Sequence, residues 1–146
     1  MLLGVNHTSF TVADVERSVD FYTNVLGGRL LSLAERPPDF CEKVTGVPGA
    51  HLRIAYVELA GYHLELIQYL SPAGEKADTR TCNVGSAHVA FNVSGLRGMY
   101  RELKARGVRF MGEPVEIPAG PNRGGHAVYF EDPDENTLEF IEKAQG

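Results

Sequence analysis

The stretch GSAHVAFNV, residues 85–93, repeats the pattern of GVNHTSFTV, residues 4–12. Glycine, histidine, phenylalanine and valine recur at a constant offset of 81 residues. Internal repetition constrains architecture before any local reading does. The likeness continues outward from these stretches. Each runs into a segment of helical apolar spacing that stops at glycine, Gly27 in one copy and Gly107 in the other. Each copy then closes on LE-x-I, as LELI at residues 64–67 and LEFI at residues 138–141. Two such copies are too few and too long for a solenoid. They read as a duplicated supersecondary module inside one domain, each opening on a strand with His and closing on a strand with Glu. The expected organisation is one domain over residues 1–146, with module one at about 1–70, a linker at about 71–84 and module two at about 85–146.

Local patterns fill in the modules. Residues 3–12 alternate as a strand, Asp14 stands at a helix N-cap, and Val15, Val19, Tyr22 and Leu26 follow at helical spacing. Gly27 and Gly28 end that helix and residues 29–33 make a second strand. The segment ERPPDFCEKVTGVPG, residues 35–49, is irregular, with a short helix expected around 40–44; such a segment is either a binding loop or a plain surface excursion. Residues 52–59 and 62–69 read as a hairpin across Ala60-Gly61. The second module opens on a strand at 86–93, has an N-cap at Ser94, and carries an apolar stripe of Leu96, Met99, Tyr100 and Leu103. A short strand at 108–111 follows, with 113–118 as an irregular continuation, then the loop PAGPNRGG, and a hairpin of 126–131 and 137–142 across DPDEN. The expected order is βαβββ twice, an α+β fold.

The composition excludes several functions. Hydrophobic residues at 43% and charged residues at 23% suit an ordinary globular domain, and a net charge of −5 argues against a nucleic-acid partner. No apolar run has the length of a membrane helix, and the first residues lack the pattern of an export signal. A cytoplasmic chain is therefore expected, with Cys41 and Cys82 as reduced thiols.

Alternation locates the chemistry. Phe10 and Val12 face opposite to His7, and Phe91 and Val93 opposite to His88; Leu64 and Leu66 oppose Glu65, and Leu138 and Phe140 oppose Glu139. If the apolar sides pack on the helices, His7, Glu65, His88 and Glu139 are left on the other face. Two imidazoles and two carboxylates suit one divalent ion, Zn, Ni, Co, Mn or Fe(II). One strand histidine alone is usually a surface residue. Two histidines and two glutamates recurring at matched places in a duplicated unit point instead to a shared site. His63 shares the Glu65 face, so it either lines the site or backs its ligands, or it flanks the hairpin turn in solvent, which is the favoured reading; His51 and His126 sit at loop–strand junctions. Arg123 in the glycine-rich loop is a candidate for an anionic substrate group.

The stretches NHTSFTVADVERSVDFYTNVLG, HLELIQ, AHVAFNV and YFEDPDENTLEFIE resemble the vicinal oxygen chelate superfamily over nearly the whole chain. That superfamily includes glyoxalase I, methylmalonyl-CoA epimerase, extradiol dioxygenases and bleomycin and fosfomycin resistance proteins. The resemblance implies paired βαβββ modules forming a cup-shaped mixed sheet around a metal site, where the ion chelates two adjacent substrate oxygens. It places His7, Glu65, His88 and Glu139 on the four ligand positions and makes Glu139 or Glu65 the catalytic proton carrier. A full His/Glu/His/Glu set is similar to bacterial glyoxalase I. The likeness stops at the glutathione contacts, because HTSFTV lacks the arginine and ELIQY the asparagine that follow the first ligands there.

The leading expectation is a metal-dependent lyase or isomerase that transfers a proton next to a carbonyl of a small-molecule substrate. The alternatives are an Fe(II) extradiol-type dioxygenase using His7, His88 and Glu139, and a non-catalytic drug-binding protein of the bleomycin resistance type. A homodimer is expected from the resemblance, with no membrane partner.

Overall fold

The computed structural model describes residues 1–144. The chain divides into two compact units, Met1–Lys76 and Ala77–Gly146. In the first unit the elements run β1 (Thr8–Thr11), α1 (Val15–Asp20, widening to π spacing over Phe21–Val25), β2 (Arg29–Glu35), α2 (Pro38–Thr45), β3 (His51–Leu59) and β4 (Tyr62–Ser71). They form one mixed sheet of order β1-β4-β3-β2, parallel at β1–β4 and antiparallel elsewhere.

The second unit runs β5 (His88–Asn92), α3 (Leu96–Ala105), β6 (Arg109–Phe110), β7 (Val115–Glu116), β8 (His126–Glu131) and β9 (Thr137–Glu142). Its sheet has order β5-β9-β8-β6, with β7 also on β8, and again the one parallel pair joins the first strand to the last. The expected α+β class and twofold βαβββ plan are present, with α2 and β7 as additions.

Local chemistry explains the elements. Asp14 caps α1, its carboxylate accepting from the Glu16 and Arg17 amides. The hairpin turn puts Ala60 at φ 50° and Gly61 at φ 79°, the paired left-handed conformation that matches strand twist in a two-residue turn. Gly28 lies where a Cβ would come within 2.7 Å of the Tyr22 carbonyl oxygen, so no larger residue fits between helix end and sheet.

Each sheet has an apolar face under a helix. In the first unit Leu64, Leu66, Ala55 and Val57 are fully buried, α1 packs on β3 and β4, and Val15 and Tyr22 of that helix are fully buried. In the second, Leu96, Tyr100 and Leu103 of α3 are buried, and the Tyr100 ring meets Phe110 at 4.8 Å in an aromatic series where Phe110, Phe130 and Phe140 succeed one another at 5.5 Å and 4.2 Å. Side chains of this size each contribute about 1.5–3 kcal/mol when fully buried, which fixes which face is left for chemistry. Cys41 is buried and Cys82 exposed, both free thiols. Among the described residues no helix is long and apolar enough to cross a membrane.

The structure corrects three boundaries. The first strand, expected from residue 3, starts at Thr8, and the fifth, expected from 86, starts at His88. Both have one neighbour, and the ladders begin at Thr8↔Leu64 and His88↔Thr137, close to where β4 and β9 themselves begin. Upstream residues have little backbone to pair with, and Leu2, Leu3 and Val5 stay exposed. The α3 cap is Gly95 at φ 69°, not Ser94.

Candidate metal centre

Strand register brings the sequence-predicted residues together in pairs, one within each unit. In the first, Ser9, Glu65 and Tyr56 lie side by side across β1, β4 and β3 on the face away from α1. His7 immediately precedes β1, and its Nε2 stands 3.2 Å from Glu65 Oε2. In the second, Ala90, Glu139 and Tyr129 lie side by side across β5, β9 and β8. There His88 Nε2 stands 3.2 Å from Glu139 Oε2. The same two side-chain types meet at the same separation in both halves of the repeat.

That separation fits a shared cation. Two donors each about 2.1 Å from one ion stand roughly 3.0 Å apart in an octahedron and 3.4 Å apart in a tetrahedron. Imidazole nitrogen with carboxylate oxygen is a suitable donor set for a borderline divalent metal. A pair supplies two of the ligands such an ion needs. Among the described residues no group of three or more His, Cys, Asp or Glu gathers that could hold a metal ion.

Surroundings differ between the pairs. Glu65 is 9% exposed, and its other oxygen, Oε1, accepts a hydrogen bond from the Tyr56 hydroxyl at 2.6 Å. Burial pushes the Tyr56 hydroxyl up to about 12, with the hydrogen bond to Glu65 and that carboxylate's charge adding to the rise. The Tyr56 ring meets the His7 ring edge-on at 5.5 Å, and Asn6 Oδ1 lies 2.7 Å from His7 Nδ1, fixing the imidazole from behind. Helix α2 covers part of this sheet face: Cys41, Ala50, Leu52 and Ile54 form a core against Val47, Tyr56, Ile67 and Tyr69. The irregular segment 35–49 is thus a wall on the Glu65 side of the sheet.

In the second unit His88 is exposed, and the Tyr129 ring lies 5.1 Å from its ring. Burial, and then the Glu139 charge, raises the Tyr129 hydroxyl. Among the described residues Tyr129 makes no hydrogen bond to Glu139, and Glu139 Oε1 has no hydrogen-bond partner. One row further along, Arg29 pairs with Glu58 at 3.0 Å in the first unit, and Arg109 pairs with Glu131 in the second.

The remaining sequence candidates lie apart. His63 is exposed, 3.9 Å from Glu58 Oε2, as its place beside the turn predicts. His51 pairs with Glu35 at 3.0 Å. His126 is registered with Glu142 on the face opposite Glu139, and Arg123 is exposed in its loop. The two tyrosines are what sequence reasoning missed. The signal was present: a two-residue turn at Ala60-Gly61 pairs Leu59 with Tyr62, and counting back from there sets Tyr56 opposite Glu65.

A duplicated βαβββ plan with one His–Glu pair per unit defines a class of small α+β proteins built by module repetition. The family model described as the Glyoxalase/Bleomycin resistance protein/Dioxygenase superfamily matches residues 4–140, and the chain belongs to that superfamily. It is 32% identical to a 2-epi-5-epi-valiolone epimerase of Actinomyces sp., over 99% of this chain and 81% of that one. It is also 32% identical to a lactoylglutathione lyase of Neisseria meningitidis serogroup A, over 96% of this chain and 91% of the other. The solved structure of a glyoxalase family protein from Bacillus cereus superimposes with a TM-score of 0.82 at 23% identity, covering 99% and 97% of the two chains.

Proposed function

We propose that the chain is a divalent-metal-dependent lyase or isomerase that moves a proton at the carbon next to a carbonyl of a small oxygenated substrate. His7, Glu65, His88 and Glu139 are its metal ligands. The observation that carries this reading is the recurrence of one His–Glu approach, at 3.2 Å, in both units. The relatives named as an epimerase and a lyase support an enzyme over a passive binding protein.

The bound cation supplies Lewis-acid polarisation of the substrate carbonyl, which makes the neighbouring C–H acidic. The chain's own residues do the rest. His7 and His88 would hold the ion through their imidazole nitrogens. Glu139, whose Oε1 is unengaged among the described residues, takes the proton from carbon and returns it to the product. Glu65, engaged at both oxygens, holds geometry. Glutathione is not the favoured cosubstrate. HTSFTV and ELIQY lack the residues that contact it in glyoxalase I, and Gln68 in the second stretch is occupied in accepting the Val15 amide at 3.1 Å.

The test is proton exchange. Metal-loaded protein should catalyse deuterium uptake from heavy water into hydroxy-carbonyl compounds, and Glu139→Gln should abolish it. Glu65→Ala should lower both metal affinity and turnover. Unchanged metal affinity and turnover in Glu65→Ala would sink the four-ligand reading.

A further inference from the structure

We propose that Tyr56 is a positioning residue that locks Glu65 into single-oxygen ligation, so that the two His–Glu pairs are functionally unequal. The inference rests on the metal-centre reading above and goes beyond it, since ligand identity treats the four residues as two equivalent pairs.

The geometry is one-sided. Glu65 has two carboxylate oxygens: Oε2 faces His7 Nε2 at 3.2 Å and Oε1 accepts from Tyr56 at 2.6 Å. The distance is in the short range of hydrogen bonds to ionised acceptors, among the stronger ones proteins make. With Oε1 held, rotation of the carboxylate to present both oxygens to one ion would break that bond. Tyr56 also packs edge-on against the His7 ring, so one side chain touches both members of the pair. Its own position is fixed by the core beneath α2, which it joins through its ring.

The second unit supplies the comparison. Tyr129 stands opposite Glu139 in strand register as Tyr56 stands opposite Glu65. It approaches the His88 ring at 5.1 Å, yet among the described residues it makes no hydrogen bond to the carboxylate. The same residue type at the same register is thus a tether in one half and only a ring contact in the other. Glu65 is a fixed ligand; Glu139 keeps a free oxygen. A tether of this kind is worth about 10–100-fold in metal affinity in comparable sites.

The test is titration of metal-stripped full-length protein with Co(II), followed by its visible absorption, in wild type, Tyr56→Phe, Tyr129→Phe and Glu65→Gln. We expect Tyr56→Phe to bind Co(II) about tenfold more weakly and with an altered ligand-field spectrum, while Tyr129→Phe matches wild type. Wild-type affinity and spectrum in Tyr56→Phe, or equal losses in the two phenylalanine variants, would overturn the proposal. Absence of Co(II) binding by wild type would instead overturn the metal-centre reading, and the lock with it. If Tyr56→Phe does not fold, fluorotyrosine incorporated into the unaltered chain gives the same answer. Its residue 56 resonance should shift on Co(II) or Zn(II) addition more than that of residue 129, and an equal response would count against the lock.

Discussion

Glu142 closes the amino end of helix α3 through Gly95, although 47 residues separate them in the chain. One carboxylate oxygen accepts both the Gly95 and Leu96 amides, which the helix cannot satisfy internally. The negative charge also lies at the favourable end of the helix dipole. This contact ties the last strand to the helix that packs behind it.

Removing it should therefore loosen the second unit. Glu142→Ala should destabilise the fold by about 0.5–2 kcal/mol, the usual worth of an N-cap, and Glu142→Gln by less, because an acceptor remains. Urea denaturation followed by circular dichroism reads the difference. Equal stability of Glu142→Ala and wild type would show that solvent serves those amides as well.

The DPDEN turn makes a second prediction. Asp132 is 4% exposed, and its carboxylate accepts the Asp134 amide, the Asn136 amide and the Asn136 side-chain amide. Asp132→Ala leaves those donors without their acceptor and should cost about 1–3 kcal/mol. Because the turn sets the register of β8 against β9, it should also shift Tyr129 and Glu139 resonances in an NMR spectrum. Unshifted resonances would show that strand pairing alone holds that register.

Gly28 makes a third. A methyl group there would stand 2.7 Å from the Tyr22 carbonyl oxygen and 3.0 Å from that of Glu58, both backbone atoms that cannot swing aside. Gly28→Ala should destabilise by roughly 1–3 kcal/mol through overpacking, whereas Gly4→Ala, with nothing within 4 Å, should be neutral. Matched melting curves of the two variants decide it.

Much of this was legible in the sequence because the decisive signals were local or repeated. Alternation around Glu65 and Glu139 separates an apolar face from a polar one, and the buried Leu64, Leu66, Leu138 and Phe140 bear it out. The Asp14 cap and the Ala60-Gly61 turn are signals within a few residues, and both are present. Long-range partners were not legible. Ser94 was the expected cap of α3 because caps are usually sought in the preceding residue. The carboxylate that serves comes from Glu142 at the far end of β9. Tyr56 went unread for a related reason: its role appears only when hairpin register is counted across two strands. Strand starts at Thr8 and His88 depended on where the neighbouring strands begin, which alternation within one strand does not report.

The most direct measurement is elemental analysis of protein purified without chelator or affinity tag, repeated for His7→Ala and His88→Ala. The account predicts about one equivalent of Zn, Ni, Co, Mn or Fe per wild-type chain, and loss of that metal in both variants, since each removes a ligand from the same kind of centre. Wild-type protein that carries no metal and takes none up on titration would contradict it. So would full metal content in either variant, because one His–Glu pair would then be dispensable.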